Sequence, residues 1–143
     1  MNKTNKLIGA LFITLLLAFN LQADNTKRLL ISLTSGDFRS TGSGVAIANA
    51  MQDAGVQTVV FINANSVKYA LKDTKVEKFG PTGKSIKDML AALVKKNATV
   101  MVCGMNAKFQ GVKDQDLIKG IKIIGGEQVY GAVFAPNTQT LSF

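Results

Sequence analysis

The residue with the clearest chemical potential in this sequence is Cys103, the only cysteine in the chain. It follows a β-prone, mostly apolar run from Ala98 to Val102, and Gly104 comes directly after it, so it is predicted to end a strand. In α/β sheets, ligands bind at the carboxyl ends of strands. A free cysteine is either a small packing residue or, as the thiolate, a nucleophile. Both interpretations stay open from position alone.

Backbone groups could complete a small site around this thiol. A glycine directly after the cysteine would let the backbone approach a bound anion closely. Polar residues also follow the first and second predicted strands, and in a parallel sheet they would lie at the same edge as the cysteine. The sequence therefore predicts a catalytic Cys103 and a pocket formed by Gly104, Met105, Asn106, Ser35, Gly36, Asp37 and Asn63.

Several other chemistries are excluded by composition. The chain has no histidine, which removes Ser-His-Asp hydrolysis, Cys-His proteolysis and most zinc sites. Gly42-Ser43-Gly44 lacks the third glycine of a dinucleotide-binding loop because Ile47 stands there, although such a stretch at a helix start could hold an anion. Gly83-Lys84-Ser85 resembles the end of a phosphate loop, but Lys78 replaces its first glycine. No metal and no cofactor is therefore predicted.

The first residues have the pattern of a secretory signal. Lys3 and Lys6 precede a 13-residue apolar run, and Leu21-Gln22-Ala23 offers a cleavage site after Ala23. The run is shorter than the roughly 20 residues of a spanning helix, which disfavours a membrane anchor. We therefore predict a signal peptide over residues 1–23, an α/β domain over 24–143, a periplasmic or secreted location, and no stable membrane insertion after cleavage.

The chain is basic, with a net charge of +8. Loss of the two signal lysines would leave 15 basic and nine acidic residues, a net charge of +6. The lysines are scattered and no aromatic residues alternate with them, so nucleic-acid binding is not predicted. In an exported protein this charge suits anionic small molecules, an anionic membrane surface or simply a solvated surface.

Apolar runs and helical patterns alternate along the chain. Strands are predicted at 27–34, 56–62, 98–103, 121–124 and 138–143. Helices are predicted at about 45–54, 66–71, 85–96, 114–120 and 127–135, with 38–44 as a flexible loop and 72–83 as a second loop. In the first helix, the apolar face is predicted to be Ile47, Ala50, Met51 and Ala54. The alternation predicts an α/β fold, a three-layer α/β/α sandwich with a five-stranded, mostly parallel sheet.

Four segments together resemble a known family. They are Leu29 to Asp37, Val59 to Asn63 after a helix that ends at Gly55, Val100 to Asn106, and Asp116 to Gly125. In order and content they are similar to the DsrE/DsrF-like family of small sulfur-relay proteins, which includes YchN-like and TusD-like members. The resemblance covers about residues 27–143.

The resemblance implies a five-stranded sheet between helices and assembly into trimers or hexamers. It also implies that Cys103 accepts a sulfane sulfur as a persulfide and passes it to a partner thiol, with Gly104, Met105 and Asn106 beside it. We therefore predict an exported sulfur carrier or sulfurtransferase-like protein whose partners are a thiol protein or a small sulfur anion. The alternative is a non-catalytic small-anion-binding or assembly module in which Cys103 is a buried structural residue.

Overall fold

The computed structural model describes residues 26–74 and 77–143. The predicted signal peptide lies outside the described residues. The strands are β1 (Arg28–Leu33), β2 (Gln57–Ile62), β3 (Lys78–Phe79), β4 (Lys84–Ser85), β5 (Thr99–Cys103), β6 (Lys122–Ile124) and β7 (Thr138–Ser142). The α-helices are α1 (Phe38–Asp53), α2 (Ile86–Lys95), α3 (Gly104–Phe109) and α4 (Gly126–Val133), with 3₁₀ helices at Ala64–Ala70 and Asp114–Asp116.

One parallel sheet organises the part of the chain that the structure describes. Its strand order is β6-β5-β2-β1-β7, and every neighbouring pair is parallel. Helices flank the sheet, so the predicted α/β architecture with a five-stranded sheet is confirmed. None of the helices in residues 26–74 and 77–143 combines the length and apolar character needed to cross a membrane.

The first face of the sheet is a closed hydrophobic core. Its residues alternate along three strands and are all buried: Leu29, Ile31 and Leu33 in β1, Val60 and Ile62 in β2, and Val100 and Val102 in β5. Helices α1 and α2 pack over these side chains. Apolar burial of this kind is the main favourable term in folding, so this layer dominates the stability of the domain.

Helix α1 begins earlier than the sequence predicts. Residues 38–44 were expected to form a flexible loop, but they are the first turns of this helix, and the expectation is wrong. The carboxylate of Asp37 caps the helix by accepting a hydrogen bond from the Ser40 N–H at 2.8 Å. Glycine disfavours a helix interior, and tertiary packing overrides that preference here.

The two glycines of this segment explain the packing. A Cβ atom at Gly42 would lie 2.5 Å from the Phe79 ring, and one at Gly44 would lie 2.7 Å from Leu33 Cδ2. Both glycines are buried inside the helix, so Gly42-Ser43-Gly44 is not a helix start that could hold an anion. Their role is to let the helix approach its neighbours closely.

The buried face of α1 also differs from the prediction. Thr41, Val45 and Ala48 are buried with the two glycines, whereas Ala50, Met51 and Ala54 of the predicted face are exposed. Of the predicted face, only Ile47 packs against the core, where it is half-buried. The helix makes its closest contacts through the glycines and Thr41, which the apolar periodicity does not mark.

Helix α2 follows the sequence closely. Ser85 caps it: the Asp88 N–H donates to Ser85 Oγ at 3.0 Å, and Ser85 Oγ donates to Asp88 Oδ2 at 2.7 Å. Ile86, Met89, Leu90 and Leu93 form its buried face, at the i, i+3, i+4 and i+7 spacing of an amphipathic helix.

Two short segments differ from their predictions. In the predicted loop 72–83, β3 pairs with β4 as a small antiparallel hairpin that buries Phe79. The helix predicted at 114–120 is a single 3₁₀ turn, because Leu117 leaves helical geometry and forms a β-bridge with Leu71. In both segments, a buried apolar side chain contacts a residue distant in sequence.

The second face of the sheet is only partly covered. Its side chains include Leu30, Ser32, Val59, Phe61, Met101, Cys103 and Ile124, which alternate with those of the first face. Helix α4 lies over this side, but none of its residues is buried. A cleft of about 420 Å³ remains between α4 and the sheet, lined by Val59, Met101 and Ile124 from the strands and by Gln128 and Ala132 from the helix.

Candidate functional site

Cys103 is the last residue of β5, an interior strand of the sheet. Its extended backbone, with φ −60° and ψ 118°, places it at the N-cap position of the six-residue helix α3. Its side chain makes no capping hydrogen bond, and the residue is half-buried. The thiol therefore lies at the carboxyl edge of the sheet, where the sequence predicted it.

Gly104 is required by its surroundings. A Cβ atom there would lie 2.8 Å from the carbonyl oxygen of Ile124 in the neighbouring strand β6. Because the obstacle is backbone, a larger residue would push β5 and β6 apart at the position of the cysteine. Gly104 also lines a shallow depression of about 340 Å³ that includes Lys108 and Lys113.

Met105 and Asn106 follow Cys103 in the first turn of α3. Met105 is 79% exposed, and Phe109, one turn further on, is 88% exposed. Asn106 is half-buried, and its carbonyl accepts a hydrogen bond from Gln110 N–H. Residues four apart lie on one side of a helix, so Met105 and Phe109 form an exposed apolar pair next to the cysteine.

Asn63 lies next to Cys103 across the sheet. The pairing of β2 with β5 places Ile62 beside Val102, and one further step along each strand reaches Asn63 and Cys103. Both positions belong to the second face because they follow Phe61 and Met101 by two residues. The Asn63 amide nitrogen donates to Ser32 Oγ at 3.3 Å, which anchors this side chain on β1.

The loop Ser35-Gly36-Asp37 lies further from the thiol. It follows β1, which is two strands from β5, so the separation is about 10 Å at the backbone. Its polar groups already have partners: Ser35 Oγ accepts from the Asp37 N–H at 3.0 Å, and the Gly36 carbonyl accepts from Tyr69 Oη at 3.0 Å. The structure therefore assigns these residues to the start of α1, and does not place them around Cys103.

The cleft beneath α4 was not predicted from the sequence. Thr99, Met101 and Cys103 share one face of β5 because side chains alternate along a strand. The first two line the cleft, together with Lys122 of β6. That alternation was visible in the sequence, whereas the position of α4 over these residues was not.

The chain is a small protein of the α/β class. It has a parallel five-stranded sheet with helices on both sides, and its cysteine ends an interior strand. Within that class, this chain belongs to the DsrE/DsrF-like family, whose sequence profile matches residues 27–135. The family is generally related to sulfur relay. The predicted family is thereby confirmed. No curated protein sequence matches the chain significantly.

Solved structures show the same fold. The YchN protein of E. coli superimposes with a TM-score of 0.70 at 19% identity, covering 82% of this chain and 99% of that one. MTH1491 of Methanobacterium thermoautotrophicum gives 0.64 at 14% identity, with coverages of 82% and 99%. BT1422 of Bacteroides thetaiotaomicron gives 0.63 at 18% identity, with coverages of 87% and 100%. Each of these superpositions covers more than four fifths of this chain.

Proposed function

We propose that this protein carries sulfane sulfur on Cys103, as a persulfide carrier or sulfurtransferase-like protein. The observation that carries the proposal is the position of the only cysteine, half-buried at the carboxyl end of an interior strand. Membership of a family related to sulfur relay supports it. A cysteine that served only to pack the core would be expected among the fully buried side chains of the first face.

The chemistry consists of two displacements at sulfur. In the first, the Cys103 thiolate attacks the outer sulfur of thiosulfate or of a polysulfide chain. A new S–S bond forms, the old S–S bond breaks, and sulfite or the shortened polysulfide leaves with the bonding electron pair. In the second, a partner thiolate attacks the outer sulfur of the Cys103 persulfide, and Cys103 is regenerated as a thiolate. No external oxidant or reductant is consumed.

The charge of the chain is suited to anionic sulfur compounds. The chain has a net charge of +8, and Lys108 and Lys113 line the depression that Gly104, the residue after Cys103, also lines. Positive charge near a site raises the local concentration of anions. The proposal includes export directed by residues 1–23, so the sulfur donor and the acceptor thiol would be extracytoplasmic. Assembly into trimers or hexamers remains a prediction from the family.

The test is sulfur loading followed by mass spectrometry of the intact protein. Incubation with polysulfide or thiosulfate should add sulfur to the wild type, and Cys103→Ser should abolish the gain while leaving the melting temperature nearly unchanged. A matched control carries Cys103→Ser together with Gln115→Cys, which places a thiol at an exposed position. Loading at Cys103 should be at least about tenfold faster than at this control position, because the proposal assigns sulfur acceptance to this site and not to an exposed thiol in general. Equal rates, or loading that survives Cys103→Ser alone, would contradict the proposal.

The alternative function is a non-catalytic module that holds a small anion. Its support is the cleft beneath α4, which has apolar walls and contains Lys122. In this case Cys103 would react with thiol reagents only after denaturation, and Cys103→Ser would leave anion binding intact. Reaction of the native thiol within seconds to minutes would favour the sulfur carrier.

A further inference from the structure

The two edge strands of the sheet, β6 and β7, differ in how well they are protected from pairing with another strand. The β6 edge has only three residues, and one of them is the exposed Lys122. The Ile123 N–H donates to Asp114 Oδ1 at 3.0 Å, so the chain's own carboxylate occupies this group. A short strand, a lysine and an occupied backbone donor are features that keep a sheet edge from pairing with another strand.

The β7 edge has none of these features. Its five residues, Thr138–Ser142, include no charged side chain and no proline, and four of them are exposed. Among the described residues, β7 pairs only with β1. The backbone groups of Asn137 and Phe143 bond to β1, and alternation along the strand directs the next ones outward. The outward N–H and C=O groups therefore belong to Thr138, Thr140 and Ser142.

The open edge is held in a fixed position. The Arg28 N–H donates to the Asn137 carbonyl at 3.2 Å before the strand, and the Phe143 N–H donates to the Ser32 carbonyl at 2.9 Å after it. The Phe143 carbonyl also accepts from the Thr34 N–H at 2.8 Å. Because β7 is anchored at both ends, its outer groups form a preorganised template that pays little ordering entropy on pairing.

The charge distribution indicates what could pair with this edge. Residues 128–143 contain no charged side chain, although the chain has a net charge of +8. An acidic partner would be expected to meet lysines, whereas two copies of this basic chain repel each other least where they meet through an uncharged surface. The β7 edge is such a surface, and its Thr and Ser side chains are complementary to themselves.

We propose that β7 pairs antiparallel with β7 of a second copy across a two-fold axis at Thr140. Thr140 then faces Thr140 of the second copy, and Thr138 faces Ser142 of the second copy. These are hydrogen-bonded pairs, in which the two residues exchange both backbone bonds. Cross-strand Thr–Thr and Thr–Ser pairs add side-chain hydrogen bonds. The two sheets become one continuous sheet.

This contact goes beyond the proposed sulfur function, because Cys103 takes no part in it. It requires an even number of copies in the assembly. Three such pairs can build a hexamer, whereas a trimer by itself leaves the β7 edge unpaired.

The first test is the mass of the purified full-length protein in solution, measured by sedimentation or light scattering. Thr140→Lys and Thr140→Glu should each halve the mass of the assembly, since like charges would face each other at the axis. Mixing the two variants should restore it, because lysine then faces glutamate. The controls are Gln115→Lys and Gln115→Glu, which should leave the mass unchanged. Gln115 is exposed and follows Asp114 beside the β6 edge, far from β7 in the strand order.

The second test locates the axis with disulfides in a Cys103→Ser background. Facing residues of a hydrogen-bonded pair have Cα atoms about 5.5 Å apart, within disulfide range. Thr140→Cys should therefore form a covalent dimer under mild oxidation. Ser142→Cys should not, because its own copy lies about 14 Å away along the strand.

Three results would overturn the proposal: a wild type that is monomeric at every concentration, an assembly of an odd number of copies, or an assembly whose mass Thr140→Lys does not change. A monomer that instead binds an extended peptide along β7 would assign the edge to another protein and would equally overturn self-pairing. None of these results bears on whether Cys103 accepts sulfur.

Discussion

The two faces of the sheet come from alternate residues of the same strands, yet they are covered very differently. On the first face, Ile31, Val60 and Val102 are completely inaccessible to solvent beneath α1 and α2. On the second face, Leu30 and Met101 are buried, but Phe61 and Cys103 remain half-buried, and α4 on this side contributes no buried residue. The contrast shows that one face supplies most of the buried apolar surface, while the other retains the openings that a functional site needs.

The covering helices explain this difference. α1 approaches closely through buried glycines, and α2 is capped by Ser85 and presents an apolar stripe of four buried residues. α4 has eight residues; its Tyr130 and the C-cap residue Phe134 are 66% and 69% exposed and contact each other at a ring distance of 4.7 Å. The aromatic area of α4 is therefore not used against the sheet.

The largest expected effect comes from truncating a side chain beneath the first face. Leu90→Ala in α2 removes a completely buried side chain and should lower the free energy of unfolding by about 2–5 kcal/mol. The matched change in α4 is Val129→Ala, at a half-buried position, which should cost less than about 1 kcal/mol. Urea unfolding of both variants measures the difference. Equal losses would show that the two helices stabilise the domain equally.

A sharper comparison uses two neighbouring valines of β2. Val60→Ala removes methyl groups from the closed face and should cost about 2–3 kcal/mol. Val59→Ala removes the same atoms from the cleft wall and should cost less than about 1 kcal/mol, since no sealed cavity is created there. Thermal melts under one buffer condition suffice. A larger loss at Val59 than at Val60 would reverse the assignment of the two faces.

The smallest expected effect is at the outer surface of α4. Tyr130→Ser and Phe134→Ser should each change the free energy of unfolding by no more than about 0.5 kcal/mol, because both rings are mostly exposed. The same changes can be measured in the Thr140→Lys variant, in which contacts between copies are removed. A decrease in the free energy of unfolding above about 2 kcal/mol there would show that these rings stabilise the single chain.

Prediction from the sequence succeeded for elements that a run of consecutive residues marks. The apolar runs that became β1, β2 and β5 were predicted to within a residue or two, and so were Cys103 at a strand end and the start of the helix at residue 85. It failed at residues 38–44, where glycines that normally interrupt helices are instead packed against Phe79 and Leu33. No local pattern distinguishes a glycine that breaks a helix from one that lets a helix pack closely.

The candidate site likewise contains residues that a local pattern predicts and residues whose positions depend on the strand order. Cys103 and Gly104 were predicted as neighbours of a strand end, which depends only on consecutive residues. Asn63 beside the thiol, and Ser35-Gly36-Asp37 two strands away from it, depend on the strand order β6-β5-β2-β1-β7. Strand order results from which apolar faces are buried together, and many orders are compatible with one pattern of alternating elements.

By itself, the sequence determined the alternation of strands and helices, the single thiol at a strand end and the uncharged final stretch, because each is a property of consecutive side chains. Only the tertiary structure decided that one sheet face is closed and the other open, that one edge is blocked by Asp114 and the other is not, and that Asn63 lies beside Cys103. Those features depend on contacts between residues far apart in the chain, whose free energy is realised only when the whole domain has packed.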